Sequence, residues 1–322
     1  MSSSLLANPE KILKDLRNQW AQIGHEQSTN GGILRACAMT LIIVADHPEE
    51  SDQVRQATGL LMHAHPNRTI VLYPREDAEL NASVFAECWK PFGGGPQICA
   101  EGVEITTDLV ESGDVARLLV PLIAPDLPVT LWCRGRRPFL ERSFDPLFAL
   151  AGKIIFDSRT ARHVPSAIEF MGRLRRTGKL VGDLAWTGLT GWREMIAQVF
   201  DDHALQASAI RSARVVYAGE KSGSDALYFG RWLERSLRGV DVRLEQAPAE
   251  ERAKGLEPGV FAVALTGDGV DVETKLASGS CLAVRVGSRT QFSARPPSSE
   301  AQLIDQELSF IGPDAVFDRV LM

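Results

Sequence analysis

Pro121–Gly135, PLIAPDLPVTLWCRG, is the stretch from which the rest of the chain is read. Pro125, Asp126 and Pro128 stand directly ahead of a run of β-formers, so an irregular turn feeds a strand over Val129 to Cys133, apolar enough to be buried on both faces. Arg134, Gly135, Arg136, Arg137 and Pro138 then stop it, which places basic groups at a sheet edge. In an open α/β sheet, the carboxyl ends of the strands are where ligands and partners bind.

Upstream, Arg35 to Ala45 (RACAMTLIIVA) is a second apolar strand, Glu49 to His63 is helical with Val54, Ala57, Leu60 and Leu61 inward, and Thr69 to Tyr73 is a third strand. Strand, helix, strand makes a βαβ unit with a right-handed crossover. Ser83 to Trp89 and Gln97 to Thr107 follow as strands around Pro91–Pro96, which lacks the Lys-Ser/Thr of a phosphate loop and reads as a hairpin connection. Helices over Asp114 to Ile123 and Phe144 to Leu150 flank the opening stretch, and Lys153 to Phe156 adds a strand. Ser166 and Glu169 have capping-box spacing ahead of a helix through Arg176. The expectation is an α/β fold: a mixed, mainly parallel sheet covered by helices, then a smaller α+β domain.

Asp183 to Asp201 (DLAWTGLTGWREMIAQVFD) reads as a hinge helix with Thr190 as its N-cap, and it opens that second domain. Beyond it come a strand at Ala213 to Ala218, a helix at Ser224 to Leu237, a strand at Val240 to Leu244, a meander from Val260 to Ser293 and two closing helices. Before everything, Pro9 starts an amphipathic helix with Ile12, Leu13, Leu16, Trp20 and Ile23 on one stripe, and the glycine-rich run from Gly24 to Gly32 reads as a linker. Such an arm can dock on its own domain or mediate self-association. The expected domains are therefore residues 1–30 (arm and linker), 31–182 (α/β) and 183–322 (α+β).

The 322 residues carry a formal net charge of −6, which argues against a nucleic-acid partner. From Leu131 to Lys179, however, 11 Lys/Arg face 4 Asp/Glu. A basic segment in an acidic chain suits an anionic ligand or an acidic partner face; the plainer alternative is a set of solvated helix faces. The five cysteines are odd in number and form no C-x-x-C, so neither a disulfide framework nor a zinc site is indicated, and a reduced, cytoplasmic protein is expected. No apolar run reaches membrane-spanning length, and the N-terminus lacks signal-peptide architecture.

Residues that suggest chemistry are few. His63 and His65 lie two apart and face different sides, so they do not form a metal pair. Ser158 lacks the flanking glycines of a nucleophile elbow. Asp126, between prolines, has the choice of acting as a base or fixing its own turn. The expectation is no catalytic residue, no cofactor site and no metal site. The rival class is a sugar-phosphate or nucleotide binding protein, or an enzyme, that uses the basic segment 131–179.

RACAMTLIIVAD, HPNRTIVL, CAEGVEI, PLIAPDLPVTLWCRG, IIFDS and DLAWTGLTGWREMIAQVFD occur in one order between Arg35 and Asp201, followed by a helix with Trp232-Leu233. Together they resemble the glucose-6-phosphate dehydrogenase assembly protein family, OpcA, over about Arg35 to Leu237. The chain departs from the family pattern at Cys133, where a second tryptophan is usual, and at Gly188, where arginine is usual. The resemblance implies a non-enzymatic partner of glucose-6-phosphate dehydrogenase that promotes its active oligomer or its affinity for substrate. It would thereby support the NADP-reducing oxidative pentose phosphate pathway. The candidate partner-binding residues are Asp126, Trp132, Arg134, Arg136, Arg137, Trp186 and Arg193. Trp and Arg are enriched at interface hot spots, although Trp132 reads equally as core.

Overall fold

A computed structural model describes residues 9–26, 33–76, 78–90, 96–108, 114–201, 207–253, 255–278, 281–294 and 298–322. The chain separates into two compact units, one of residues 1–160, 177–182 and 304–309, the other of residues 161–176, 183–303 and 310–322. Of the expected linker, Gly24 to Gly32, residues 24–26 belong to the first helix, and 27–32 lie outside the described residues, as does most of the hairpin connection, 91–95.

The first unit holds an eight-stranded sheet of β1 (Ile33–Arg35), β2 (Met39–Val44), β3 (Asn67–Pro74), β4 (Asn81–Trp89), β5 (Gln97–Thr107), β6 (Val129–Cys133), β7 (Lys153–Phe156) and β8 (Leu180–Asp183). Its order is β1-β5-β3-β2-β6-β7-β8, with β4 antiparallel on β5. The pairs β1/β5, β3/β5, β2/β3, β2/β6 and β6/β7 are all parallel. Leu41, Ile42, Ile43, Ile70, Val71 and Leu72 are fully buried, as continuous apolar runs in a covered parallel sheet should be.

The expected single strand over Arg35 to Ala45 is two strands. Ala36 N donates to Cys99 O (3.0 Å) while Ala38 N donates to Pro66 O (2.7 Å), so within three residues the chain leaves β5 and enters between β3 and β6. In the helix Ser51–Ala64, Val54, Ala57, Thr58, Leu61 and Met62 are buried. Leu60, expected inward, is 63% exposed because the buried stripe runs through 54, 57, 58, 61 and 62. The expected set of unpaired thiols also needs correction. Cys88 and Cys99 are directly opposite in the antiparallel β4/β5 pair, with Cα atoms 4.1 Å apart, and are joined as a disulfide.

The arm is a helix, Pro9–Glu26, with Ile12 and Leu16 buried. Trp20 Nε1 donates to Glu101 Oε2 of β5 at 2.5 Å, so the helix docks on its own unit, with Leu13, Trp20 and Ile23 half-buried.

The second unit is built on a sheet of order β10-β9-β11-β12-β13-β14. β9 (Ile210–Ala218) and β10 (Asp241–Gln246) are parallel, and β11 (Gly259–Gly267), β12 (Val270–Ser278), β13 (Cys281–Val286) and β14 (Arg289–Ala294) continue from β9 as an antiparallel meander. The helix expected to be capped by Ser166 spans Val164–Arg176 and so starts earlier. His163 performs the capping instead, its Nδ1 accepting from Ser166 N at 3.3 Å. Thr190 is likewise not a cap. The helical path opens at Leu184–Thr187, capped by Asp183 through Ala185 N (3.0 Å), and Thr190, first residue of Thr190–Asp201, turns its hydroxyl back to Thr187 O (2.8 Å).

Candidate functional site

At the carboxyl end of β6 the backbone is tied to β2. Arg134 N and Gly135 N both donate to Val44 O (3.0 and 3.1 Å), and Arg136 N donates to Asp46 Oδ2 (3.1 Å). A Cβ on Gly135 would stand 2.0 Å from Asp46 Oδ1, so a larger residue there would push the Asp46 carboxylate away from Arg136 N.

That backbone geometry sorts the three arginines. Arg134 pairs with Glu50 and donates to Gln53 Oε1 (3.1 Å). Arg137 forks onto Glu141 (3.0 and 3.1 Å), donates to Pro74 O (3.1 Å) and lies over the Phe144 ring. Arg136 is exposed, and its guanidinium makes no ion pair among the described residues. Trp132 is fully buried, because side chains alternate across a strand whose two faces are both covered; it packs the core and is no edge contact. Asp126 is exposed with φ 61°, a left-handed conformation that aspartate tolerates. It precedes β6 whereas the arginines follow it, so the strand's length, roughly 16 Å for five residues, separates them.

Trp186 and Arg193 belong to the second unit and form a packing knot. Trp186 is 2% exposed, its Nε1 donates to Asp314 Oδ2 (2.9 Å), and its ring stacks on Phe317 with Tyr228 edge-on. Arg193 lies 3.4 Å from the Trp186 ring centroid and donates to Thr190 Oγ1 (2.9 Å). Tyr228 donates from its hydroxyl to the buried Asp183 carboxylate at 2.6 Å. The residues of the Asp183–Asp201 motif thus hold one another in place, and neither Trp186 nor Arg193 is presented as an open contact.

Sequence reading missed a buried carboxylate in the first unit. Glu101 accepts from Trp20, pairs with Arg35, and receives Arg68 Nε at 2.6 Å, while Arg68 also donates to Leu122 O (2.7 Å). Burial pushes its pKa up, but the Trp20 hydrogen bond and the charges of Arg68 and Arg35 outweigh that and hold it below the ordinary carboxylate range. Glu104 is held low in the same way by Arg55 and Ser51 against its own burial. The one available signal was a glutamate at an otherwise apolar, buried strand position. Arg68 is thus committed within the fold, and His65 Nε2 contacts Asp305 Oδ1 (3.1 Å). Among the described residues no group of three or more His, Cys, Asp or Glu is placed to hold a metal ion, and no helix is long and apolar enough to cross a membrane.

Fold and site define an α/β protein with a mainly parallel sheet, joined in sequence to a second, mixed-sheet unit. Two family models match it. The one described as the N-terminal domain of a "Glucose-6-phosphate dehydrogenase subunit" covers residues 59–173, and the one described as the C-terminal domain of the same protein covers residues 179–321. The chain belongs to the glucose-6-phosphate dehydrogenase assembly protein family, OpcA. A Nostoc punctiforme protein named "Putative OxPP cycle protein OpcA" is 27% identical over 186 residues, 56% of this chain and 40% of the relative. A Synechocystis protein of the same name is 23% identical over 300 residues, 80% of this chain and 62% of the relative. The chain therefore spans 40% and 62% of these curated relatives. Among solved structures, a 3-ketoreductase from Actinomadura kijaniata, in complex with NADP and TDP-benzene, superposes with a TM-score of 0.47 at 10% identity, covering 90% of this chain and 94% of that one. An oxidoreductase from Sinorhizobium meliloti gives 0.47 at 12% identity, covering 89% and 86%. At these values neither carries an argument about chemistry.

Proposed function

We propose that this chain is a non-catalytic assembly factor and allosteric activator of glucose-6-phosphate dehydrogenase, acting in the cytoplasm in support of the oxidative pentose phosphate pathway. The observation that carries the reading is that both halves of the chain match the family's two domain models, over residues 59–173 and 179–321. The commitment of Glu101, Glu104, Asp183 and Asp314 to hydrogen bonds and ion pairs within the fold supports it, since each of these acids holds structure. A protein that binds one conformer of an enzyme shifts its population by its differential affinity, about 1.4 kcal/mol for each tenfold. On this reading Arg136, at the carboxyl end of the central strand, supplies part of the contact, and the two compact units serve as the two domains.

The test is to titrate the protein into the dehydrogenase of the same cell, following NADP reduction and particle mass together. A rise in rate accompanied by a larger particle is expected. A dehydrogenase unchanged in both, or NADP reduction by this chain alone, would overturn the proposal.

A further inference from the structure

The second unit contains a cleft of about 480 Å³ between the helix Val164–Arg176, the helix Ser224–Ser236 and the last helix, Ala315–Leu321. Its walls carry Arg173 and Arg176 from the first of these and Arg231 and Arg235 from the second, together with Glu169 and Glu234. Spacings of three and four residues put each arginine pair on one face of its helix, so the two faces present guanidiniums to a shared space. Gly172 lets the last helix pack closely on the first: a Cβ there would meet Leu321 O at 3.2 Å, a tight contact.

These four arginines differ from most others in the chain. Arg175, between two of them, forks onto Asp318 at 2.5 and 2.7 Å, whereas Arg173, Arg176, Arg231 and Arg235 make no ion pair among the described residues. Arg231 donates only to a backbone carbonyl, Val320 O at 3.4 Å, and Arg173 lies over the Phe170 ring. Four guanidiniums around one concavity outnumber its two glutamates, and an anion balances the excess positive charge. Planar forks match the oxygens of phosphate bidentately, and a cleft of this volume has room for a small molecule. Glu169 and Glu234, exposed at the same walls, are acceptors that a bare anion cannot use but ligand hydroxyls can.

We propose that this cleft is a binding site for a phosphorylated sugar or nucleotide, its phosphate held by the four arginines and its hydroxyls by the two glutamates. The assignment does not rest on the dehydrogenase contact.

The test is calorimetry on the full chain with ADP, ribose 5-phosphate and inorganic pyrophosphate at matched ionic strength. One-to-one binding of ADP or ribose 5-phosphate is expected, with Kd raised at least tenfold by Arg176→Ala with Arg235→Ala. Both residues are exposed and unpaired among the described residues, so the variant should melt where the parent does. Arg238→Ala with Arg289→Ala removes the same charge from exposed positions elsewhere in the unit and should leave Kd unchanged. Glu169→Ala with Glu234→Ala, which removes the two acceptors along with their charge, should lower the affinity for ADP and ribose 5-phosphate relative to that for pyrophosphate. Absence of binding by all three probes, equal losses in the two arginine variants, or pyrophosphate binding alone would each overturn the assignment.

Discussion

A single glutamate shows how a side chain invisible to local pattern sets a stability. Glu101 is 3% exposed at the side chain and meets Arg68 and Arg35, which are 11% and 49% exposed. Because its folded pKa is depressed, its contribution is complete above the unfolded carboxylate range and is lost as pH falls through the folded value. Glu101→Gln should therefore cost about 3 kcal/mol at pH 7, since it leaves Arg68 buried without its counter-charge, and the deficit should shrink toward acid pH. Urea unfolding of parent and variant at pH 7 and at about pH 3.5 measures both; a deficit that is constant across pH would refute the assignment. The cluster was not legible in the sequence because its members lie 81, 66 and 33 residues from Glu101, and only sheet register brings them together. The capping residues were half legible for a similar reason. The right region was evident, but His163 and Asp183, rather than Ser166 and Thr190, present the acceptor to a first-turn backbone N–H.

At the scale of elements, the apolar runs of β2, β3, β5, β6 and β7 announced themselves, because strands buried on both faces are predominantly apolar. What the runs could not convey was which strands are neighbours, and two features of the β4/β5 pair depend on that alone. Phe85 stands directly opposite Gly102, and a Cβ on Gly102 would lie 2.1 to 2.6 Å from the Phe85 ring. Gly102→Ala should thus cost about 1–3 kcal/mol by overpacking, and Phe85→Leu in the same chain should recover part of it. Additive losses in urea unfolding would contradict the pairing. Cys88 and Cys99, further along the same register, close a loop of sequence separation 11, worth roughly 2–3 kcal/mol through the unfolded chain. Adding reductant should lower the melting temperature of the parent and leave Cys88→Ala with Cys99→Ala unmoved; a parent insensitive to reductant would count against the bridge.

For the whole molecule, the sequence left the basic segment 131–179 open between one anion-facing patch and a set of solvated helix faces, and the fold divides it between the two units. Arg134 and Arg137 are consumed by Glu50 and Glu141, Arg175 by Asp318, and Arg173 and Arg176 stand in the cleft of the second unit, which leaves Arg136 as the exposed cation at the end of β6. Counting charge along the segment cannot reveal this, because two of the neutralising acids, Glu50 and Asp318, come from outside it. The division makes neighbouring reversals distinguishable. Arg136→Glu should leave the melting temperature unchanged and slow association with the dehydrogenase several-fold at low salt, the difference narrowing as salt screens it. Arg137→Glu should instead destabilise the fold by about 2 kcal/mol, because it sets like charges together at Glu141 and abandons Pro74 O. Stopped-flow association across a salt series, alongside melting curves, separates the two. Were Arg136→Glu to associate at the parental rate at every salt concentration, the end of β6 would not be the face that meets the enzyme.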